Sequence, residues 1–244
     1  MFGPLLVQRI LHCTQVVSCL SRLPTRNLQK KSLTSTCRFG LVSDGTMFIP
    51  NEQIDYINNG GVVAYPTSTL PGLGCIPTKE GLDKLFALKS RSPDKPVSLG
   101  VASLDQVREL VEIEPVMIEF VESFPRGGLS VLFPTRQTID TRLGGDSIAI
   151  RVFEHPAARA LAEAVGPVTA TSANEAGEEP ADTVAEAAKE LNLPEIAILN
   201  GNRATGLGST FVKIDLKNDE PLVTIIREGV VPTRDVVTWW KNRL

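Results

Sequence analysis

The chain has 244 residues, 42% of them hydrophobic, and 25 basic against 28 acidic side chains give a formal charge of −3. That is enough apolar material for a sizeable single core, yet no apolar run reaches the roughly 18 residues that a membrane-spanning helix needs. Cys13, Cys19 and Cys37 fall in the first 46 residues, which leaves the remainder with Cys75 and His155 alone. One cysteine and one histidine exclude an intrachain disulfide and the usual zinc site.

Residues 1–46 carry six basic residues (Arg9, Arg22, Arg26, Lys30, Lys31, Arg38), many Ser and Thr, and a single acid, Asp44. This is the composition of an organellar transit peptide, for a mitochondrion or a chloroplast, and it is expected to be disordered. Arg9 interrupts the apolar start, which argues against a secretory signal; a plain disordered basic tail is the alternative. Translation from Met47 would give an untargeted, cytoplasmic form. Without the leader the body stands near −8, so non-specific attraction to nucleic acid is not its character, and any anion site has to be a local cluster.

In the body, 47–244, residues 51–58 read as a short helix closed by Gly60 and Gly61. VVAYP (62–66) reads as a buried strand. A small-residue loop follows, 67–75, where Thr67, Ser68 and Thr69 stand beside Gly72 and Gly74. Such a loop lets backbone approach a ligand closely while hydroxyls donate to it. Leu82, Leu85, Phe86 and Leu88 predict a helix over 79–89 that ends in the cations Lys89, Arg91 and Lys95, a layout suited to a nucleotide's phosphates. A strand at 96–102 comes next. Ser103 caps a helical stretch over 104–112, and Pro115 opens a helix to 124.

LSVLFP (129–134) and SIAIRV (147–152) read as strands, 156–165 as an Ala-rich helix, and PVTATSAN (167–174) as strand then loop. Residues 181–191 are helical. AILN (197–200), STFVKI (209–214) and LVTIIRE (222–228) supply the last strands before an amphipathic end bearing Trp239 and Trp240. Strands and helices alternate, but 129–152 and 209–227 look like antiparallel pairs. The fold class is therefore α/β with a mixed sheet.

His155 lies in EHPAARAL, at a helix entry, where a triad base is less at home than a capping residue. GLGC lacks the third glycine of a dinucleotide fingerprint, and no Gly-Lys-Ser/Thr occurs. Arg151 is a charge inside an apolar strand and needs a partner or a ligand. Lys89, Arg91 and Lys95 could alone be the solvated end of a helix, and Ser172 and Asn174 ordinary turn formers.

Four segments together are more specific: AYPTSTLPGLG (64–74), KSRSPDKP (89–96), SIAIRVFEHP (147–156) and TSANEAGEEPADT (171–183). In order and spacing they resemble the YrdC family of threonylcarbamoyl-AMP synthases, and the likeness extends through GSTFVKID to IIREG. Lys89 and Arg91 match the family's Lys-x-Arg, and Ser172 and Asn174 its Ser-x-Asn. The resemblance implies a single domain, a twisted mixed sheet with flanking helices around a deep concave cleft. It also implies a nucleotidyltransferase that makes threonylcarbamoyl-adenylate and pyrophosphate from L-threonine, bicarbonate and ATP. Its product would pass to a tRNA threonylcarbamoyl transferase for t6A modification.

Carried over from the family, the catalytic cations are Lys89, Arg91 and Lys95. ATP contacts fall on Arg91, Lys95, Ser147, Ser172, Asn174 and Arg227, and L-threonine contacts on Thr69, Arg151 and Ser209. Mg2+ on the phosphates is expected, with no carboxylate identifiable as its ligand. Departures from the family pattern are Ser68 for an acid, Pro71 for an aromatic, Gly100 for a histidine, and FPRGGLS (124–130) for Trp-Pro-Gly-Pro-Leu-Thr. They cluster on the threonine side. Two other functions share the same cleft: a protein that binds double-stranded RNA or tRNA without making the adenylate, and a related enzyme acting on a different amine.

Overall fold

A computed structural model describes residues 47–201, 206–216 and 221–243. The leader, with its transit-peptide reading, lies outside the described residues. The described residues build six α-helices and one eight-stranded sheet in the order β1-β2-β6-β3-β5-β4-β7-β8. The strands are β1 Val63–Tyr65, β2 Gly72–Gly74, β3 Ser98–Val101, β4 Leu129–Pro134, β5 Ser147–Val152, β6 Val168–Ser172, β7 Thr210–Asp215 and β8 Leu222–Arg227. The helices are α1 Asn51–Asn58, α2 Lys79–Leu88, α3 Pro115–Glu122, α4 Pro156–Val165, α5 Val184–Glu190 and α6 Thr233–Lys241. β3 runs parallel to β5, and β4 to β7. β4/β5 and β7/β8 are antiparallel, so the sheet is mixed as the alternation of elements predicts.

Three expectations fail for local reasons. The stretch over Gly72–Gly74 is a strand, paired antiparallel with both β1 and β6. A Cβ on Gly72 would press on the Tyr65 ring at 2.7 Å, and one on Gly74 would overlap the Thr169 carbonyl. Glycine here serves the close approach of strands rather than a loop. The helix foreseen over 104–112 is a 3-10 turn at Leu104–Val107, after which Val111 bridges to Thr135, so the segment is drawn to the sheet. The strand foreseen at 197–200 is a 3-10 turn, Glu195–Ala197, with one bridge from Ile198 to Ala64.

Period-two alternation divides the sheet into two faces. Leu99, Val101, Val131, Phe133, Ile148, Ile150, Val212 and Ile214 enter one apolar cluster with Leu85, Phe120, Ala187 and Trp240 from α2, α3, α5 and α6. Trp239 and Trp240 pack against Phe120 with ring centroids at 5.1 and 5.4 Å, which anchors the C-terminal helix. On the opposite face Ile57 of α1 and Ala158, Leu161 and Ala162 of α4 cover Val63, Val168 and Phe153. That cover stops short of β4, β7 and β8. The bare part of the face forms the concave floor of a cavity.

Candidate active site

The cavity, of about 230 Å³, is bounded by the loop between β1 and β2, by the segment after α2, by the end of β6 and by the start of β7. Its floor is part of a row of residues set side by side across the sheet, from Arg151 to Arg227. Gly100 of β3 is registered with Arg151 of β5. The β4/β5 register, Val131 with Ile150, brings Ser130 opposite Arg151. Ser130 is registered in turn with Phe211 of β7, and Phe211 with Arg227 of β8. Neighbours in such a row have Cβ atoms roughly 4.5–5.5 Å apart. Two guanidinium groups and a hydroxyl therefore share one transverse line.

Arg151 donates from Nε to the Gly127 carbonyl at 2.9 Å and from a terminal nitrogen to Thr69 Oγ1 at 2.7 Å. Thr67 Oγ1 donates to the Leu70 carbonyl at 2.7 Å, so its own proton is committed. The Thr69 hydroxyl, 3.2 Å away, must be the donor to Thr67, and the direction runs Arg151 to Thr69 to Thr67 to Leu70. Desolvation, opposed by Tyr65 and aided by the charge of Arg227, brings the Arg151 pKa from 12.5 down to about 10, and the group remains a cation at neutral pH. Gly127 holds φ at +72°, and a Cβ there would meet Ser68 Oγ, so glycine is required where the loops cross.

The segment after α2 explains the spacing of Lys89 and Arg91. Ser90 takes φ +49°, Ser90 N–H bonds Ala87 O at 3.1 Å, and Arg91 N–H bonds Phe86 O at 3.0 Å. This Schellman-type ending turns the two cations in different directions. Lys89 goes inward: at 1% exposure its ammonium donates to the Ser172 carbonyl at 2.6 Å and to the Asn174 carbonyl, while its own carbonyl takes Ala176 N–H at 2.9 Å. Burial pulls its pKa from 10.5 to about 8, helped by the charge of Arg91. Arg91 goes outward to the cavity and donates to the Lys95 carbonyl at 2.6 Å and the Pro96 carbonyl at 2.9 Å.

Thr69, Arg91, Arg151, Ser172, Ser209 and Arg227 thus converge on one cavity, whereas Lys89, Lys95, Ser147 and Asn174 are not among its walls. Lys89 fastens the 172–176 loop. Asn174 donates to the Glu175 and Glu178 carbonyls at 2.7 Å and braces the same loop. Lys95 is exposed, and Ser147 opens β5 opposite Pro134. Sequence reasoning missed Ser130, whose Oγ lies 2.8 Å from Ser209 Oγ, both residues being buried. A polar residue inside the apolar run LSVLFP was its only signal. It also missed Phe211 and Tyr65, whose hydroxyl donates to the Thr169 carbonyl at 3.0 Å.

Gly100 has no room for a side chain, because a Cβ would overlap the Phe153 ring. His155 caps α4, its Nδ1 accepting from Ala157 N–H at 3.2 Å, and burial lowers its pKa, so it sits neutral. Among the described residues no group of three His, Cys, Asp or Glu is arranged to hold a metal, and no helix is long and apolar enough to cross a membrane. A larger cavity, about 320 Å³, lies against α3, walled by Leu104, Ile118, Val121 and Leu129, with Arg108 paired to Asp105 at 2.6 Å. Its two arginines, Arg108 and Arg126, and its one hydroxyl, on Ser103, are exposed, whereas the smaller cavity gathers buried hydroxyls around Arg151, so the smaller cavity is the candidate site.

Fold and site together define an open mixed-sheet protein whose arginine-bearing sheet face has the charge and size to suit a small anionic ligand. The family model Sua5_yciO_yrdC, described as "Telomere recombination", matches residues 55–229. The chain belongs to that family. Threonylcarbamoyl-AMP synthase of Marinobacter nauticus is 42% identical over 132 residues, 51% of this chain and 69% of the relative. The synthase of Aliivibrio fischeri is 35% identical over 159 residues, 62% of this chain and 85% of the relative. Among solved structures, P. abyssi Sua5 complexed with L-threonine superposes with a TM-score of 0.67 at 26% identity, covering 76% of this chain and 55% of that one. The body thus spans little more than half of that longer protein. E. coli YciO shares the fold, with a TM-score of 0.63 at 23% identity over 75% of this chain and 90% of that one.

Proposed function

We propose that the protein is an L-threonylcarbamoyladenylate synthase, condensing L-threonine, bicarbonate and ATP. The transverse row Arg151, Ser130, Phe211 and Arg227 carries this reading, because it sets a carboxylate partner and a phosphate partner at the two sides of one small cavity. The names of the curated relatives and the threonine complex of P. abyssi Sua5 support it.

Bicarbonate takes up a proton and loses water to give carbon dioxide, the neutral amine of threonine adds to its carbon, and the N–H proton released passes to solvent, leaving a carbamate. One carbamate oxygen attacks the α-phosphorus, the bond to the β-phosphate's bridging oxygen breaks, and pyrophosphate leaves with that electron pair. The nucleophile is already an anion, so positioning and charge stabilisation do most of the catalysis and no imidazole is needed. Arg151 takes the amino-acid carboxylate in a fork. Arg91 and Arg227 face the phosphates, and Ser172 supplies hydroxyl and backbone contacts beside them. Mg2+ would arrive on the nucleotide, since no carboxylate of the described residues lines the cavity.

The same reading sends the product to t6A modification of tRNA through a downstream transferase, and the basic leader to a mitochondrion or chloroplast. A nucleic-acid-binding role without chemistry fits less well, because the body is acidic and the cavity that gathers Arg91, Arg151 and Arg227 is of small-molecule size. The test is pyrophosphate release by the purified chain. Release from ATP is expected only when L-threonine and bicarbonate are both present; release independent of either substrate overturns the reading.

A further inference from the structure

We propose that Ser130 determines specificity for the amino acid's side chain: with Ser209 it forms a hydroxyl pair that reads the substrate's side-chain hydroxyl. The inference rests on the reading above only in placing an amino-acid carboxylate on Arg151.

The argument starts from register. Ser130 stands opposite Arg151 in the β4/β5 pairing and on the same face, since Val131 and Ile150 point into the core between them. The β3 side of Arg151 is closed by the Phe153 ring over Gly100, so in this proposal a ligand held by Arg151 lies with its Cβ substituents toward β4 and Ser130. Ser130 is the polar atom source there, 4% exposed and without room to swing to solvent. Its Oγ is 2.8 Å from that of Ser209, itself 5% exposed. Ser209 is fixed in turn by its backbone carbonyl, which accepts from Arg227 at 3.0 Å, and by the next residue, Thr210, whose Oγ1 donates to Val231 O at 2.6 Å.

Each serine hydroxyl has one proton. Their mutual bond uses one, so the pair offers the cavity one free proton and lone pairs on both oxygens. A hydroxyl satisfies both demands, as donor and as acceptor. A methyl group in its place strands a buried donor and acceptor, which is how a polar pocket rejects an isostere more strongly than an apolar pocket rejects an extra methylene. Thr69 cannot serve as both donor and acceptor, because its one proton goes to Thr67; after accepting from Arg151 it has a lone pair left but no donor.

The test measures binding by calorimetry, without ATP, of L-threonine, of L-2-aminobutyrate, which lacks only the hydroxyl, and of L-valine, which replaces it by methyl. Wild type is expected to prefer threonine to 2-aminobutyrate by about tenfold. Ser130→Ala should cut that preference to about twofold or less by weakening threonine alone, and Ser130→Thr should restore it. A Ser130→Ala protein that keeps the preference overturns the proposal. So does one that loses affinity for both amino acids equally, since that marks a packing role, and so does a wild type without preference. Failure of the synthase reading would show separately, as absent pyrophosphate release beside an intact hydroxyl preference.

Discussion

At one side of the cleft Thr69, Ser130 and Ser209 are buried, and Arg151 is already bonded to a hydroxyl and a carbonyl before any ligand arrives. At the other side Arg227 is exposed, Ser172 is half-buried, and Arg91 is held by carbonyls of its own loop. The first region is fixed by sheet register, which permits little adjustment. The second combines the helix ending that carries Arg91 with the strand ends at Ser172 and Arg227, where the side chains are more open to solvent. Such a division suits discrimination of a small amino acid by preformed contacts and capture of a flexible, highly charged tail by groups that can follow it. It also reverses the weight that the motifs suggest: departures from the family pattern gather on the threonine side, yet that side is the more fully organised.

The largest effect that tests this contrast belongs to Arg151. Arg151→Ala should lower kcat/KM for threonine by about a thousandfold, because a carboxylate loses its fork and Thr69 and Gly127 lose their donor. Arg151→Lys should recover little, since an ammonium cannot bond Thr69, Gly127 and a carboxylate in one plane. Arg91→Ala should act chiefly on the KM for ATP. Steady-state kinetics with each substrate varied in turn decides the matter; equal changes in both KM values for both variants would erase the distinction between the two sides.

Lys89 marks the border between the regions and titrates in a useful range. Its pKa falls from 10.5 to about 8 on burial, so between those values the unfolded chain holds a proton that the folded chain has released. Unfolding free energy from this group therefore rises with pH across about 8 to 10.5, the burial cost of the ammonium being fully present below 8 and relieved above. Lys89→Met removes the group and leaves the Ser172 and Asn174 carbonyls without a donor, at about 2 kcal/mol. In urea titrations the wild-type advantage should widen from pH 7.5 to pH 10, and a flat or narrowing difference would argue against a buried ammonium clamp.

What the sequence shows and what it hides follow from the range of the forces involved. β4, β5, α1 and α4 are legible to the residue, because alternation, a Pro at the first helical position and a closing glycine are local signals. Gly72–Gly74 is not, since strand-forming glycines are dictated by a Tyr65 ring and a Thr169 carbonyl far along the chain. The 104–112 and 197–200 segments yield to single bridges with Thr135 and Ala64, again distant partners. Arg151 announces itself as a charge in an apolar strand. Ser130 does not, because a serine in a strand is unremarkable until register sets it beside Arg151 and hydrogen bonding ties it to Ser209. The Lys-x-Arg pair is visible as a motif, but its division of labour, one cation inward and one toward the cavity, depends on the φ of the residue between them.

That residue carries the smallest effect and sharpens the contrast most directly. Ser90 adopts φ +49° in a position that glycine occupies without penalty. The left-handed conformation costs a non-glycine residue about 1 kcal/mol, and part of the gain on substitution is lost to the freer unfolded chain, so Ser90→Gly should stabilise by about 0.5 kcal/mol and raise Tm by about 1–2 °C. The bonds from Ser90 and Arg91 N–H to Ala87 and Phe86 remain available, so the two cations should keep their directions. If the nucleotide side tolerates adjustment, the KM for ATP stays unchanged within about twofold. A more stable Ser90→Gly protein with a markedly raised KM for ATP would show that the strained turn holds Arg91 in place, and that the side described as adaptable is as preorganised as the row on the sheet.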